Sequence, residues 1–279
     1  MIRIGDYNDM EAARFTASGA YLKSDDGQEA LLPRKFASPD LKIGDKIRVF
    51  IFTDSEDRLT ATTQTPKARA GEFAYLQAVD VNKYGAFLDW GLDKDLMVPF
   101  SEQQEKMEKG KKYIVRVSVD YKTNRLIGVS KIKDFLKKDA SALKPGQEVN
   151  LLIAGFTALG IKAIVDNQYE GLLYANEVFE TLLIGEKTKG YVKRIRDDGK
   201  IDLTLYKQGV ERAVESGEII MERLRQSGGF LPYHDKTPPE VIAAHLNMSK
   251  KTFKMAIGGL YKAGRIRIDD AGITLLESP

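Results

Sequence analysis

The chain of 279 residues contains no cysteine, two histidines and a single tryptophan. Without cysteine there is no disulfide, no thiolate metal site and no thiol nucleophile, which agrees with a reducing compartment. A histidine-based triad would have to use His234 or His245, and a two-histidine metal site would have to use both. His234 stands beside Asp235 in a loop-like stretch and His245 near the end of a short helical one, and neither is accompanied by matching ligands or a nucleophile. No nucleotide-binding glycine loop is present. The expectation is a protein that is not an enzyme, with no cofactor and no metal. Nor is there a run of the roughly 20 apolar residues that spans a membrane. The start, Met1-Ile2-Arg3-Ile4-Gly5-Asp6, lacks the apolar stretch of a signal peptide, so the expected location is cytoplasmic.

Charge of one sign is also scarce. The net charge is +3, and Lys+Arg against Asp+Glu runs 9 to 11 over residues 1–66, 13 to 10 over 67–135, 11 to 10 over 136–209 and 10 to 9 over 210–279. Such a chain does not coat polyanions indiscriminately, and any electrostatic contact has to run along local patches.

What is present is a repeat. Gly19, Gly85 and Gly160 each end a short apolar run, and fourteen residues after them stand Pro33, Pro99 and Tyr174, behind the apolar pairs Leu31-Leu32, Met97-Val98 and Leu172-Leu173. Eleven residues further come Gly44-Asp45-Lys46, Gly110-Lys111-Lys112 and Gly185-Glu186-Lys187, each leading into alternating apolar residues. A closing strand follows at Arg58-Leu59-Thr60, Arg125-Leu126-Ile127 and Lys200-Ile201-Asp202. Three registers agree three times, which marks tandem copies of one supersecondary unit.

Within the second copy the stretches 74–81, 86–90, 95–98, 113–119 and 126–129 read as five short strands bounded by turn residues. Five strands in about 65 residues predict a small closed barrel of the OB type, since closure removes the exposed sheet edges that so small a unit can ill tolerate. The residues carry a resemblance here. Tyr84-Gly85-Ala86-Phe87-Leu88-Asp89, then Asp95 through Glu102, then Asp120 to Arg125 and Val129-Ser130-Lys131 resemble the RNA-binding domain named after ribosomal protein S-one. Three such barrels followed by a C-terminal segment of different period resemble the bacterial conserved virulence factor B family (CvfB, also called YitL) along essentially the whole chain.

Single-stranded nucleic acid is held by flat aromatic faces and by cations beside its backbone. In strict alternation Tyr84 and Phe87 face opposite sides of a strand, but a bulge at Gly85 would bring both rings to one face. The resemblance implies base-stacking rings at these two positions and an acidic and a basic contact at Asp120 and Arg125. The histidine of the family's usual pattern falls on Pro99. By the same correspondence the first repeat offers Tyr21, Asp54 and Arg58, with Ser18 and Pro33 at the other two positions. The third has Leu159 and Lys162 where rings are expected, yet supplies Tyr174 and the cations Lys193, Arg194, Arg196 and Lys200. Aromatic residues beside a strand glycine are also common packing residues, and that alternative stays open. Trp90 shares the parity of Ala86 and Leu88 and reads as core or rim.

After Lys207 the apolar period changes from two to about 3.6, with Val210, Ala213, Val214, Ile220, Met221 and Leu224 before Ser227-Gly228-Gly229. Thr237-Pro238-Pro239-Glu240 reads as a capping box opening a helix through Leu246. Ser249 then caps a third helix with Phe253, Ala256, Ile257, Leu260 and Tyr261 on one apolar stripe, and Arg265-Ile266-Arg267-Ile268 with Gly272-Ile273-Thr274-Leu275 reads as a hairpin. The pattern is that of a winged-helix domain, whose third helix enters a groove of nucleic acid in known cases. From Ser249 to Ile268 there are six basic residues and no acidic one, among them Lys251, Lys254, Lys262, Arg265 and Arg267. Gly258-Gly259 in the same helix predicts something packed closely against it, since each glycine costs about 1 kcal/mol relative to alanine.

The expected architecture is thus mainly β with a C-terminal α/β element, divided at 1–66, 67–135, 143–208 and 209–279. The expected function, its regulatory part implied by the resemblance, is an RNA-binding regulator acting after transcription on single-stranded RNA. A winged-helix transcription regulator on duplex DNA and a protein-binding adaptor are the alternatives.

Overall fold

The computed structural model describes residues 1–178, 181–207 and 210–276; the side chains of Asn176 and of residues 210–215 also lie outside the described set, and with them the expected apolar contacts of Val210, Ala213 and Val214. The first barrel is built from β1 (Tyr7–Thr16), β2 (Gly19–Lys23), β3 (Glu29–Pro33), β4 (Lys46–Thr53) and β5 (Leu59–Thr62). The second comprises β6 (Phe73–Asn82), β7 (Gly85–Asp89), β8 (Leu96–Pro99), β9 (Lys112–Asp120) and β10 (Arg125–Val129), and the third β11 (Glu148–Thr157), β12 (Gly160–Val165), β13 (Tyr169–Tyr174), β14 (Lys187–Ile195) and β15 (Ile201–Thr204). Each is closed, with its strands in the order first, second, third, fifth, fourth and back to the first. The third and fifth strands pair in parallel and the other neighbours antiparallel, which is the OB topology.

The repeat spacings have a direct geometric cause. Gly19, Gly85 and Gly160 open the second strand of their barrels, and the residues fourteen positions later are their cross-strand partners on the third: Pro33, Pro99 and Tyr174. The glycines adopt φ of 146°, 154° and 152°. A Cβ there would stand 2.1, 2.3 and 2.1 Å from the carbonyl oxygens of Leu32, Val98 and Leu173. A side chain at any of the three would collide with backbone that cannot move without opening the ladder. The second glycines, Gly44, Gly110 and Gly185, sit in left-handed turns and donate to the carbonyls of Ala12, Ala78 and Ile153. Those acceptors mark a β-bulge in the first strand of each barrel. The bulge expected at Gly85 is therefore in β6 between Ala78 and Asp80, while Gly85 itself stays in regular register with Asn82 and Pro99.

Residues 1–136 form one compact unit and residues 137–279 a second. The joining of the first two barrels follows from β4, which is buried on both faces. Val49 and Ile51 point into the first barrel with Met10, Leu22 and Leu32. Phe50 and Phe52 belong to the core cluster of the second, with Leu76, Leu88, Trp90 and Val115. Phe50 stands edge-on to Trp90 with ring centroids 5.8 Å apart and to Tyr7 at 5.6 Å, a favoured aromatic geometry. The parity argument for Trp90 holds: it is 2% exposed, and its indole N–H donates to the Lys94 carbonyl at 2.6 Å.

The C-terminal domain comprises α1 (Val210–Gln226), β16 (Phe230–Leu231), α2 (Pro239–Leu246), α3 (Lys250–Lys262), β17 (Ile266–Asp269) and β18 (Gly272–Leu275). The short β16, absent from the sequence reading, pairs with β18 and makes the wing a three-stranded sheet. Ile220, Met221 and Leu224 of α1 meet Ile242, Leu246, Phe253, Ile257 and Leu260 in its core. Two details differ from expectation. Pro238 occupies the cap of α2 without a side-chain bond, and Thr237 instead accepts the His234 amide at 2.9 Å, so no capping box forms. Tyr261 leaves the apolar stripe and is 58% exposed. Ser249 caps α3 as expected, accepting the Thr252 amide at 3.1 Å.

Phe50→Ala is expected to cost about 3–5 kcal/mol and to lower the melting of the two N-terminal barrels together in calorimetry of the intact chain. A loss below about 1 kcal/mol would show that they do not share a core.

Candidate nucleic-acid interface

In the second barrel Tyr84 occupies the turn before β7. It is 61% exposed, and the Lys83 ammonium lies 5.0 Å from its ring centre. Phe87 is half-buried, on the side of β7 opposite Ala86, Leu88 and Trp90, and thus on the outer surface of the barrel. Asp120 ends β9 directly across from Arg125, which begins β10. Asp120 is engaged locally, accepting the Thr123 hydroxyl at 2.7 Å and the Lys122 amide at 3.0 Å. These bonds hold its carboxyl below the ordinary value. Arg125 does not turn to Asp120. Its Nε pairs with Asp57 of the first barrel, and Nη2 donates to the Ser55 carbonyl at 3.3 Å.

The first barrel places Tyr21 on β2 opposite Arg14, whose guanidinium lies 3.5 Å from the ring centre while pairing with Glu29 at 2.8 Å. One face of Tyr21 is therefore already covered by a cation. Arg14 went unnoticed in the sequence; the bulge after Ala12 is what sets it against Tyr21. Asp54 and Arg58 form an ion pair at 2.7 Å, and Glu56 takes a second nitrogen of Arg58 at 2.8 Å.

In the third barrel the Tyr174 hydroxyl accepts from Arg196 and lies 3.3 Å from Asp202, which itself pairs with Arg196 at 2.8 Å. Lys193 pairs with Glu177, with its ammonium 6.0 Å from the Tyr174 ring centre. Lys162 pairs with Glu170 at 3.4 Å and Lys200 with Asp198 at 2.8 Å. Arg194 is exposed and makes no ion pair among the described residues. Tyr174, Lys193 and Arg196 are thus brought together, whereas Lys162 and Lys200 are bound elsewhere.

On the winged helix, Lys251, Lys254 and Lys262 are exposed along α3 without ion-pair partners among the described residues, interleaved with Met255 and Tyr261. Arg265 is drawn to Glu218 of α1, and Arg267 lies 3.5 Å from Asp269. A Cβ built on Gly258 or Gly259 meets nothing within 4 Å, so the close neighbour expected from the sequence is not part of the described chain.

With this geometry in view, residues 218–275 match the CvfB-like winged helix domain and residues 4–64 an S1 domain. Along most of its length the chain is similar to conserved virulence factor B. It is 25% identical to conserved virulence factor B of Staphylococcus aureus (strain N315) over 291 aligned residues, covering 98% of this chain and 94% of that protein. It is 28% identical to YitL of Bacillus subtilis over 256 residues, 88% of this chain and 85% of that one. A solved structure from Streptococcus pneumoniae, described as a multidomain protein with nucleic acid binding domains, is 24% identical across 98% of both chains with a TM-score of 0.43. The S1 match falls on the first barrel, whereas the motif residues that carry the likeness in the sequence stand in the second. Neither matched domain family is an enzyme class, and no helix among the described residues is long and apolar enough to cross a membrane.

Tyr84→Ala is expected to change the unfolding free energy by no more than about 0.5 kcal/mol, and Trp90→Ala to cost about 3–5 kcal/mol, in urea titrations followed by circular dichroism. A large loss from Tyr84→Ala would assign that ring to packing.

Proposed function

We propose that this chain is a cytoplasmic, non-enzymatic RNA-binding regulator that acts after transcription, gripping single-stranded RNA along its barrels with added contacts from the winged helix. The observation that carries the reading is Tyr84: a tyrosine ring more than half exposed, beside a lysine, in the β6–β7 turn of an OB barrel whose motif resembles the S1 type. A ring held outside any core at such a position has no packing role to explain it, and every base offers a π-face to stack on it. Phe87, half-buried on the outer surface of the same barrel, is the second candidate ring. The working modules in this reading are 1–66, 67–135, 143–208 and 209–279. Of the candidate contact cations in the three barrels, Arg58, Arg125, Lys162, Lys193, Arg196 and Lys200 are paired with carboxylates, so each barrel binds modestly and the chain relies on engaging several at once.

A second reading, duplex binding by α3, is favoured by one specific observation: three exposed lysines on that helix without counter-ions among the described residues.

Fluorescence-anisotropy titration of the intact protein against single-stranded RNA, single-stranded DNA and duplex DNA at two salt concentrations separates these. Salt-sensitive preference for single-stranded RNA is the expected result, and Tyr84→Ala with Phe87→Ala should weaken it by roughly 1–3 kcal/mol per stacked base. Duplex preference that survives this double substitution but is lost on neutralising Lys251, Lys254 and Lys262 would promote the second reading. No binding to any of the three would leave a protein adaptor.

A further inference from the structure

The turn between β4 and β5 reads Asp54-Ser55-Glu56-Asp57-Arg58, three carboxylates in four residues followed by an arginine. Asp54 closes the turn, accepting the amides of Glu56 and Arg58 at 2.9 and 3.0 Å. With the fold of the turn so fixed, its carboxylates are directed at cations. Asp54 and Glu56 hold two different nitrogens of Arg58. Asp57, in a left-handed backbone conformation at φ 62°, points across to the second barrel and holds Arg125, with the Ser55 carbonyl taking a further guanidinium nitrogen. Lys94 of the second barrel donates to the Thr53 carbonyl at 2.7 Å at the base of the same turn. Burial, and then the charge of Arg125, push the Lys94 ammonium below its ordinary value, while Asp54 and Asp57 oppose that shift.

Arg58 and Arg125 are the same position of the repeat, the first residue of the closing strand region. The resemblance to the S-one type implies a basic contact with nucleic acid at that position. One acidic turn thus occupies the equivalent cation of two barrels at once. A carboxylate pair wrapped on a guanidinium offers the same fork of acceptor oxygens as a phosphate. We propose that this turn is an internal stand-in for the phosphate backbone, with Glu56 and Asp57 competing with nucleic acid for Arg58 and Arg125 and so setting how tightly and how selectively the first two barrels bind. The inference rests on the RNA-binding reading above. Because the pairs are exposed, each is worth a factor of only about 1.5 to 5, so the turn attenuates binding and does not block it: a ligand that also stacks on Tyr84 displaces it, whereas one offering phosphates alone gains little.

The test uses the full chain and a labelled mixed-sequence single-stranded RNA, titrated over a range of salt. Glu56→Gln with Asp57→Asn removes the two competing charges and keeps Asp54, and asparagine tolerates the left-handed backbone of Asp57. The variant should bind roughly 2- to 25-fold more tightly at low salt, with a salt slope steeper by about 0.7 for each cation released to a phosphate. Asp25→Asn with Asp40→Asn, an equal charge change at exposed positions of the same barrel, should gain much less. On an Arg125→Gln background Asp57→Asn should gain nothing. Equal gains from the control pair, or unchanged or weaker binding by Glu56→Gln with Asp57→Asn, would overturn the proposal while leaving RNA binding itself intact. If neither wild type nor variant binds RNA, the functional reading falls as well. Should Asp57→Asn lower the melting temperature, Glu56→Gln alone carries the test at Arg58, with a gain of about 1.5- to 5-fold expected and none overturning it there.

Discussion

Three close approaches of backbone to backbone hold the three barrels in their shape. At the opening of the second strand in each barrel, a glycine brings its α-carbon so near the carbonyl of the third strand that no other residue fits. That contact pins the register between the two strands. Once the register is set, the bulge in the first strand and the turn before the fourth fall into place, because the amide of the second glycine donates to the carbonyl at the bulge. Closure into a barrel, the outward placement of Phe87 and the exposed turn that carries Tyr84 all descend from it.

The parts of the fold visible in the sequence are those set by local backbone chemistry. The fourteen-residue interval between Gly85 and Pro99 is a cross-strand pair, and its threefold recurrence gave the barrels their number and their strand spacing. Alternation parity placed Trp90 correctly, and Ser249 announced the start of α3. What stayed illegible depends on neighbours distant in sequence. The burial of β4 on both faces reads as a plain apolar strand, and nothing local says that Phe50 serves another barrel. The resemblance marks Arg125 as a candidate basic contact, but its partner Asp57 lies 68 residues away in the chain. Arg14 escaped notice because a bulge, invisible in composition, sets it over Tyr21. Thr237 looked like a cap by its spacing to Glu240 but satisfies an upstream amide.

The near-neutral charge of the chain takes on meaning at the level of side chains. In the barrels most candidate cations already have carboxylate partners, whereas the lysines of α3 stand without them among the described residues. A polyanion therefore meets two kinds of surface: one where it must displace an internal counter-ion, and one where it displaces only solvent ions. In the proposed reading the first would confer selectivity and the second capture, a division that net charge conceals.

The two-faced burial of β4 bears on how the chain is made. As the polypeptide emerges from the ribosome amino end first, the first barrel can complete its own ladder before the second exists, and until then Phe50, met there by Tyr7, and Phe52 lack their partners from the second barrel. The nascent chain thus passes through a stage with an exposed aromatic patch that is quenched only when the next barrel forms. Separating the two barrels, whether by a stalled translation or by a cut in the linker, would return the first to that adhesive state.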